Sequence, residues 1–358
     1  MSTKPRTSAS TNPRTRTSTS TTRIMTRPVD ASPARSPLMR AYDWHRPLML
    51  LAALMAVSTV VCLVGIAVDS RQVLGVDTWI KPLKFSISGL IYGVTWAWLI
   101  AHLPRFQRLT HRAGTVIAVA LAIEQVLIVG IAAAGTTSHF NVSTAFSTAL
   151  WSIMATSITV LYVATFVTTV AVLWLRLPTR SLTISVRAGA LLALAGMGLA
   201  FLMTGPTADQ LNDFQGIAGA HTVGASDGGP GLPLLGWSTV AGDLRIPHFV
   251  GMHALQVIPL LAIALDVLGR RAKVLADDRT RTRLVVVAVA AYTATLAVVT
   301  AQALAGQSIV QPAGVFLAAG WAVGLGAAVA AGVVLAVGWR HPLDVSVDES
   351  RTDAEVQR

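Results

Sequence analysis

The sequence predicts an all-α integral membrane bundle of about eight transmembrane helices with both termini on the cytoplasmic side. Composition is the first sign: 53% of the 358 residues are hydrophobic and 13% charged, where a soluble domain carries roughly 25% charged residues. Mean hydropathy is +0.61. The second is a series of apolar runs, about 48–68, 83–102, 113–134, 147–175, 184–204, 247–268, 284–304 and 313–338. Each reaches the ~20 residues that cross a hydrocarbon core, and the runs are continuous rather than alternating, which excludes barrel strands. The third is charge: with the amino terminus inside, 24 of the 28 Lys and Arg residues fall on the inner side, as the positive-inside rule requires. The net charge of +11 therefore reflects topology, and no nucleic-acid partner is implied.

Residues 1–46 hold nine basic and two acidic residues among Ser, Thr and Pro. Such a stretch buries too little apolar surface to fold. It reads as a disordered basic cytoplasmic tail lying near anionic lipid, and it is too long for a typical cleaved signal peptide. The transmembrane domain spans 47–339, and 340–358 form a second cytoplasmic tail. The lone cysteine, Cys62, sits in the first span; one thiol excludes an internal disulfide and a cysteine-based metal cluster, so Cys62 reads as a small core residue. Only four of the basic residues are Lys. That bias, with abundant Ala, Val and Gly, suggests a GC-rich bacterial genome and hence a multi-pass protein of a bacterial plasma (inner) membrane.

The outward loops differ from the inward ones. Residues 135–146 carry no formal charge, whereas 205–246 form the longest loop, Gly-rich and holding Asp209, Asp213, Asp227 and Asp243; loops of that length are often functional. The second and sixth spans are both entered from outside through Asp77…Ile80-Lys81-Pro82 and Asp243…Ile246-Pro247, with Pro in the first turn, where its missing N–H costs nothing. The third span carries Glu124-Gln125 and the seventh Ala301-Gln302. These matches suggest a parallel repeat of four helices plus four. Glycines in the fifth span (Gly189, Gly196, Gly198) and eighth span (Gly314, Gly320, Gly324, Gly326, Gly332) read as sites of close helix packing.

Glu124 and His253 are the only ionisable groups well inside the spans, and a carboxylate there is costly unless paired or used. With a rise of ~1.5 Å per residue, His253 lies about 9 Å below the outer edge and Glu124 about 12 Å below it, in a core ~30 Å thick. The two are expected to pair. Gln256, one turn from His253, joins Gln125, Gln302, His139 and Asn141 as the polar lining of an outer-half pocket. Lys81, Lys84, Arg245 and His248 would form its entrance beside two positive helix ends, which favours an anion; the alternative is that these cations pair with Asp69, Asp77 and Asp243. His45, His102, His111 and His341 lie at the inner face and read as solvated.

No cofactor or metal is predicted. His248 and His253 are about 140° apart around one helix and make poor joint ligands, although a haem or metal site drawing on His139, His248 and His253 is the competing class. No phosphate-binding loop, catalytic triad or His-Glu-x-x-His motif occurs.

Three segments carry a resemblance: Trp79-Ile80-Lys81-Pro82-Leu83-Lys84-Phe85, Thr137-Ser138-His139-Phe140-Asn141, and Asp243-x-Arg245-x-x-His248-Phe249-x-Gly251-x-His253-Ala254-Leu255-Gln256. Together they resemble a group of uncharacterised bacterial polytopic membrane proteins, over most of residues 48–338. The group has no established activity, so the resemblance implies a membrane protein and no reaction. Where it carries Arg before the Gly-Thr-Ser-His-Phe-Asn stretch, this chain has Ala134. The leading expectation is binding, transport or sensing of a small solute through the outer pocket. The alternatives are a membrane redox or metal enzyme, and a scaffold or assembly partner in the bilayer.

Overall fold

The architecture is set by eight helices, α1 (Arg46–Val68), α2 (Ile80–Ala101), α3 (Gln107–Ala133), α4 (Ala145–Val172), α5 (Arg180–Leu199), α6 (Arg245–Gly269), α7 (Asp278–Leu304) and α8 (Gly314–Arg340). Each contains a stretch long and apolar enough to span a bilayer. The computed structural model describes residues 36–73 and 75–340. Most of the predicted amino-terminal tail and the carboxy-terminal tail with His341 lie outside the described residues. The last part of the first tail is helical, with a short helix at Pro37–Tyr42 leading to α1.

Several helices begin before the apolar runs do. α3 starts at Gln107, α5 at Arg180 and α7 at Asp278, because polar residues at the interface continue the helix that hydropathy alone would truncate. Side-chain caps explain the starts of α5 and α7: Thr179 accepts from Leu182 N–H at 3.2 Å and Asp277 from Arg279 N–H at 3.0 Å, satisfying amides the helix leaves orphaned. His45 caps α1 in the same way, its Nδ1 accepting from Leu48 N–H at 3.3 Å. Its Nε2 therefore carries the proton and donates to the His111 carbonyl at 2.9 Å. His45 is 1% exposed, so it is a structural cap rather than the solvated side chain expected.

The helix pairings of the first four spans recur in the last four. α1 packs on α2 and α3, α2 on α3, and α3 on α4; likewise α5 packs on α6 and α7, α6 on α7, and α7 on α8. α4 and α5 join the halves. The entrances to α2 and α6 match in detail. An antiparallel ladder of β1 (Gln72–Val73) and β2 (Val76–Asp77) precedes α2, and one of β3 (Thr222–Val223) and β4 (Gly242–Asp243) precedes α6. Each second strand ends in an Asp whose Oδ1 accepts the N–H two residues on, Trp79 at 2.9 Å and Arg245 at 3.0 Å. Proline is the third residue of both helices. The glutamines do not share this equivalence: Gln125 lies eight residues before the end of α3 and Gln302 two before the end of α7.

Glycine packing is concentrated between α5 and α6. A Cβ on Gly196 would fall 2.5 Å from Gly251 Cα, and one on Gly189 2.8 Å from the Ala254 carbonyl oxygen. The eighth span departs from expectation. A Cβ on Gly314, Gly320, Gly324, Gly326 or Gly332 would meet nothing within 4 Å. α8 packs on α7 and the Lys273–Leu275 turn, leaving these glycines on an open face. The main core lies between α1 and α5, around Trp96, Leu48, Ile100 and Ile117. Side chains such as Leu50, Val57, Leu260 and Val267 are exposed, as lipid-facing residues would be.

Candidate functional site

A cavity of about 1460 Å³ lies at the outer ends of α2–α6, beneath the long loop. It exceeds the ~300–1,000 Å³ of ordinary ligand pockets. α2 supplies Lys81 and Lys84, which are one turn apart and therefore share a face. α3 supplies Glu124 and Gln125, and α6 supplies Arg245, His248, His253 and Gln256.

The deepest acid does not meet the imidazole predicted for it. Glu124, 1% exposed, faces His139 from the 134–144 loop, with Oε1 3.9 Å from Nε2. That is too long for a hydrogen bond, and neither Glu124 oxygen has a hydrogen-bond partner among the described residues. His253 instead packs against Phe249, ring centroids 4.2 Å apart and planes tilted by 59°, with its buried Nε2 unpartnered among the described residues. Helical depth placed both side chains at one level but carried no information on the path of the loop.

The loop is folded inward by specific contacts. Phe140, at φ 67°, occupies the left-handed region, a strain of about 1–3 kcal/mol for a non-glycine residue. Its ring is buried against Trp151 and His221. Its carbonyl accepts from Ala218 N–H at 2.8 Å, and Val142 N–H donates to the Gly216 carbonyl at 2.8 Å. The short outer loop is thus tied to the long one, and His139 is held at the mouth of the bundle. Lys81 Nζ lies 3.1 Å from His139 Nδ1, and Ser138 Oγ 3.0 Å. An ammonium only donates, so Nδ1 accepts and Nε2–H points toward Glu124.

Burial, with the charges of Lys81 and His221 close by, holds His139 well below the usual imidazole range. His221, missed in the sequence, is also lowered by burial although its Nδ1 lies 2.6 Å from Asp227 Oδ2. For Asp227 burial acts upward, but donors on His221 and Thr222 outweigh it and hold the carboxyl below its usual range. No sequence signal marks this pair, because it forms within an irregular loop.

Titration of His139 has a consequence for stability. Between its native pKa and the unfolded value near 6.5, the unfolded chain binds more protons, so stability rises with pH through that window. Acidifying from pH 7.5 to 5.5 is expected to lower the melting temperature. The native effect of one such group reaches at most about 1.4 kcal/mol per pH unit. His139→Gln should show a shallower pH slope than the unchanged protein; equal slopes would refute this assignment.

The remaining predicted residues divide. Gln125 lines the cavity but also joins helices, its Nε2 donating at 2.8 Å to both Ser58 and Ser86. Gln256 lines the cavity. Gln302 does not: it is buried near the end of α7 and donates to the Ser308 carbonyl. Asn141 is a turn residue accepting from Ser143 N–H at 3.1 Å, outside the lining. Arg245 is tied to Asp243 at 2.6 Å, and His248 Nδ1 meets the Gly196 carbonyl at 2.8 Å. The set His139, His248 and His253 is not brought together; among the described residues no three His, Cys, Asp or Glu side chains group to hold a metal.

No protein-family model, curated protein or solved structure matches the chain. Its eight apolar crossings define it as a polytopic α-helical membrane protein.

Proposed function

We propose that the protein binds a small solute in the outer cavity and moves or senses it. The observation that carries this reading is Glu124: a buried carboxylate with no hydrogen-bond donor among the described residues, at the wall of a large chamber, one imidazole away from Lys81. A group kept at that cost inside a membrane is by default functional. His139 and Lys81 form a short polar path from Glu124 toward the outer face, and His253 and Gln256 add unsatisfied polar atoms to the same chamber. The bilayer is the partner this reading requires.

The test compares solutes retained by the full-length protein in mild detergent, surveyed by mass spectrometry, with flux in reconstituted vesicles. Glu124→Gln preserves shape, and His139→Gln removes the titrating ring. Each is expected to reduce the retained solute and its flux at least about tenfold, the equivalent of one lost interaction of ~1.4 kcal/mol. If both variants fold normally and leave every retained solute and flux unchanged, the reading is wrong.

A further inference from the structure

We infer that the solute is a small anion, seated between Lys81 and Lys84; this rests on the chamber being a solute site. Both lysines line the cavity, yet among the described residues neither has a carboxylate within 4.0 Å. The partner of Lys81 is the acceptor nitrogen of a neutral imidazole, and the partner of Lys84 is the Leu235 carbonyl at 2.7 Å. Neither supplies a counter-charge. The alternative reading, in which Asp69, Asp77 and Asp243 neutralise these lysines, does not describe the structure. Asp69 pairs with Arg71 at 2.7 Å, Asp77 accepts from Trp79 N–H at 2.9 Å, and Asp243 pairs with Arg245.

Arg245 stands close by but is paired with Asp243, and Asp243 and Asp227 attract Lys84 and Lys81 only from beyond ion-pair distance. Asp227 is engaged by His221 and Thr222. Glu124 remains, but it stands behind His139 and attracts Lys81 only at a distance. Two half-buried ammonium groups lining the chamber with no carboxylate in ion-pair reach favour a ligand that brings one. The position favours it further. Lys81 and Lys84 lie in the first turns of α2, at the positive end of the helix dipole. At the same helix start Thr78, 5% exposed, lines the cavity with its hydroxyl unpartnered among the described residues. Two ammonium groups, a free hydroxyl and a helix start suit a carboxylate, phosphate or sulfonate group.

The experiment uses the full-length protein in lipid nanodiscs at constant chloride. The probes are acetate, succinate, inorganic phosphate and methanesulfonate, with glycerol and choline as neutral and cationic controls, and binding is followed by titration calorimetry. At least one anion is expected to bind saturably and neither control to do so. Lys81→Gln and Lys84→Gln are each expected to weaken that anion about thirtyfold or more, the range for removing one partner of a desolvated charge pair. Lys84→Arg, which keeps the charge, should retain most of the affinity and guards against misfolding of the glutamine variants. The assignment is overturned if no anion binds, or if both glutamine variants bind the anion as tightly as the unchanged protein. Should choline or glycerol bind instead, with loss in Glu124→Gln, the chamber remains a solute site and only its class is wrong. If no probe binds and no solute co-purifies, both readings fail.

Discussion

Gly196→Leu is expected to separate α5 from α6 and to lower stability by about 3 kcal/mol or more, the upper part of the overpacking range. The space for any side chain is absent. A Cβ at Gly196 would sit 2.5 Å from Gly251 Cα, Gly251 C and Met252 N, and a Cβ at Gly251 would sit 2.4 Å from Gly196 Cα. These are backbone atoms of the facing helix, so relief requires moving the helices apart. The bond from His248 to the Gly196 carbonyl would be lost with them. Thermal unfolding in detergent and the yield of monodisperse protein measure the effect. Gly320→Leu is the control, since its Cβ meets nothing within 4 Å, and a change within about 0.5 kcal/mol is expected. An unaltered melting temperature for Gly196→Leu would show that the close crossing is not required.

Asp243→Ala should destabilise by about 3 kcal/mol and loosen the outer loop. Asp243 is 1% exposed. Its carboxylate accepts from Arg245 Nε at 2.9 Å and from the guanidinium terminus at 2.6 Å, and from Ser238 N–H at 2.8 Å. Removing one member of a buried ion pair costs about 3–5 kcal/mol, because the remaining charge is left unpaired. The Arg245 side chain is 30% exposed, so water recovers part of that loss and the lower end applies. Among the described residues, the Arg245 side chain would keep only its bond to the Gly236 carbonyl. The Arg245 N–H would also lose its acceptor, a hydrogen bond worth about 1 kcal/mol. Limited proteolysis from the outer side, read against the melting temperature, separates local loosening from global unfolding. Cleavage within 230–245 should rise well before the protein melts; a digestion pattern like that of the unchanged protein would contradict the role given to Asp243.

The comparison of Asp77 with Asp243 shows what a single sequence reveals about a repeat. Both residues, and the prolines Pro82 and Pro247 that follow, were legible because a helix entrance is written within a few consecutive positions. The glutamine match between Gln125 and Gln302 was a coincidence of composition, and their different distances from the helix ends expose it. The glycines make the same point. Gly189, Gly196 and the five glycines of α8 look alike along the chain, but only those of α5 face another backbone. Whether a small residue marks contact or an open surface depends on which helix lies opposite.

By itself, the sequence determined the eight apolar helices and their order, because hydropathy adds up locally along the chain; its charge count adds the expectation that the basic loops face inward. It also singled out Glu124, since the cost of a carboxylate in hydrocarbon needs no knowledge of neighbours. Only the tertiary structure decided that His139, carried by an inward-folded loop, faces Glu124 while His253 packs against Phe249. It likewise decided that Arg245 is neutralised while Lys81 and Lys84 are not. Those outcomes depend on how two irregular loops are tied together through Phe140, Gly216 and Ala218, and contacts between distant segments leave no periodic trace in either segment.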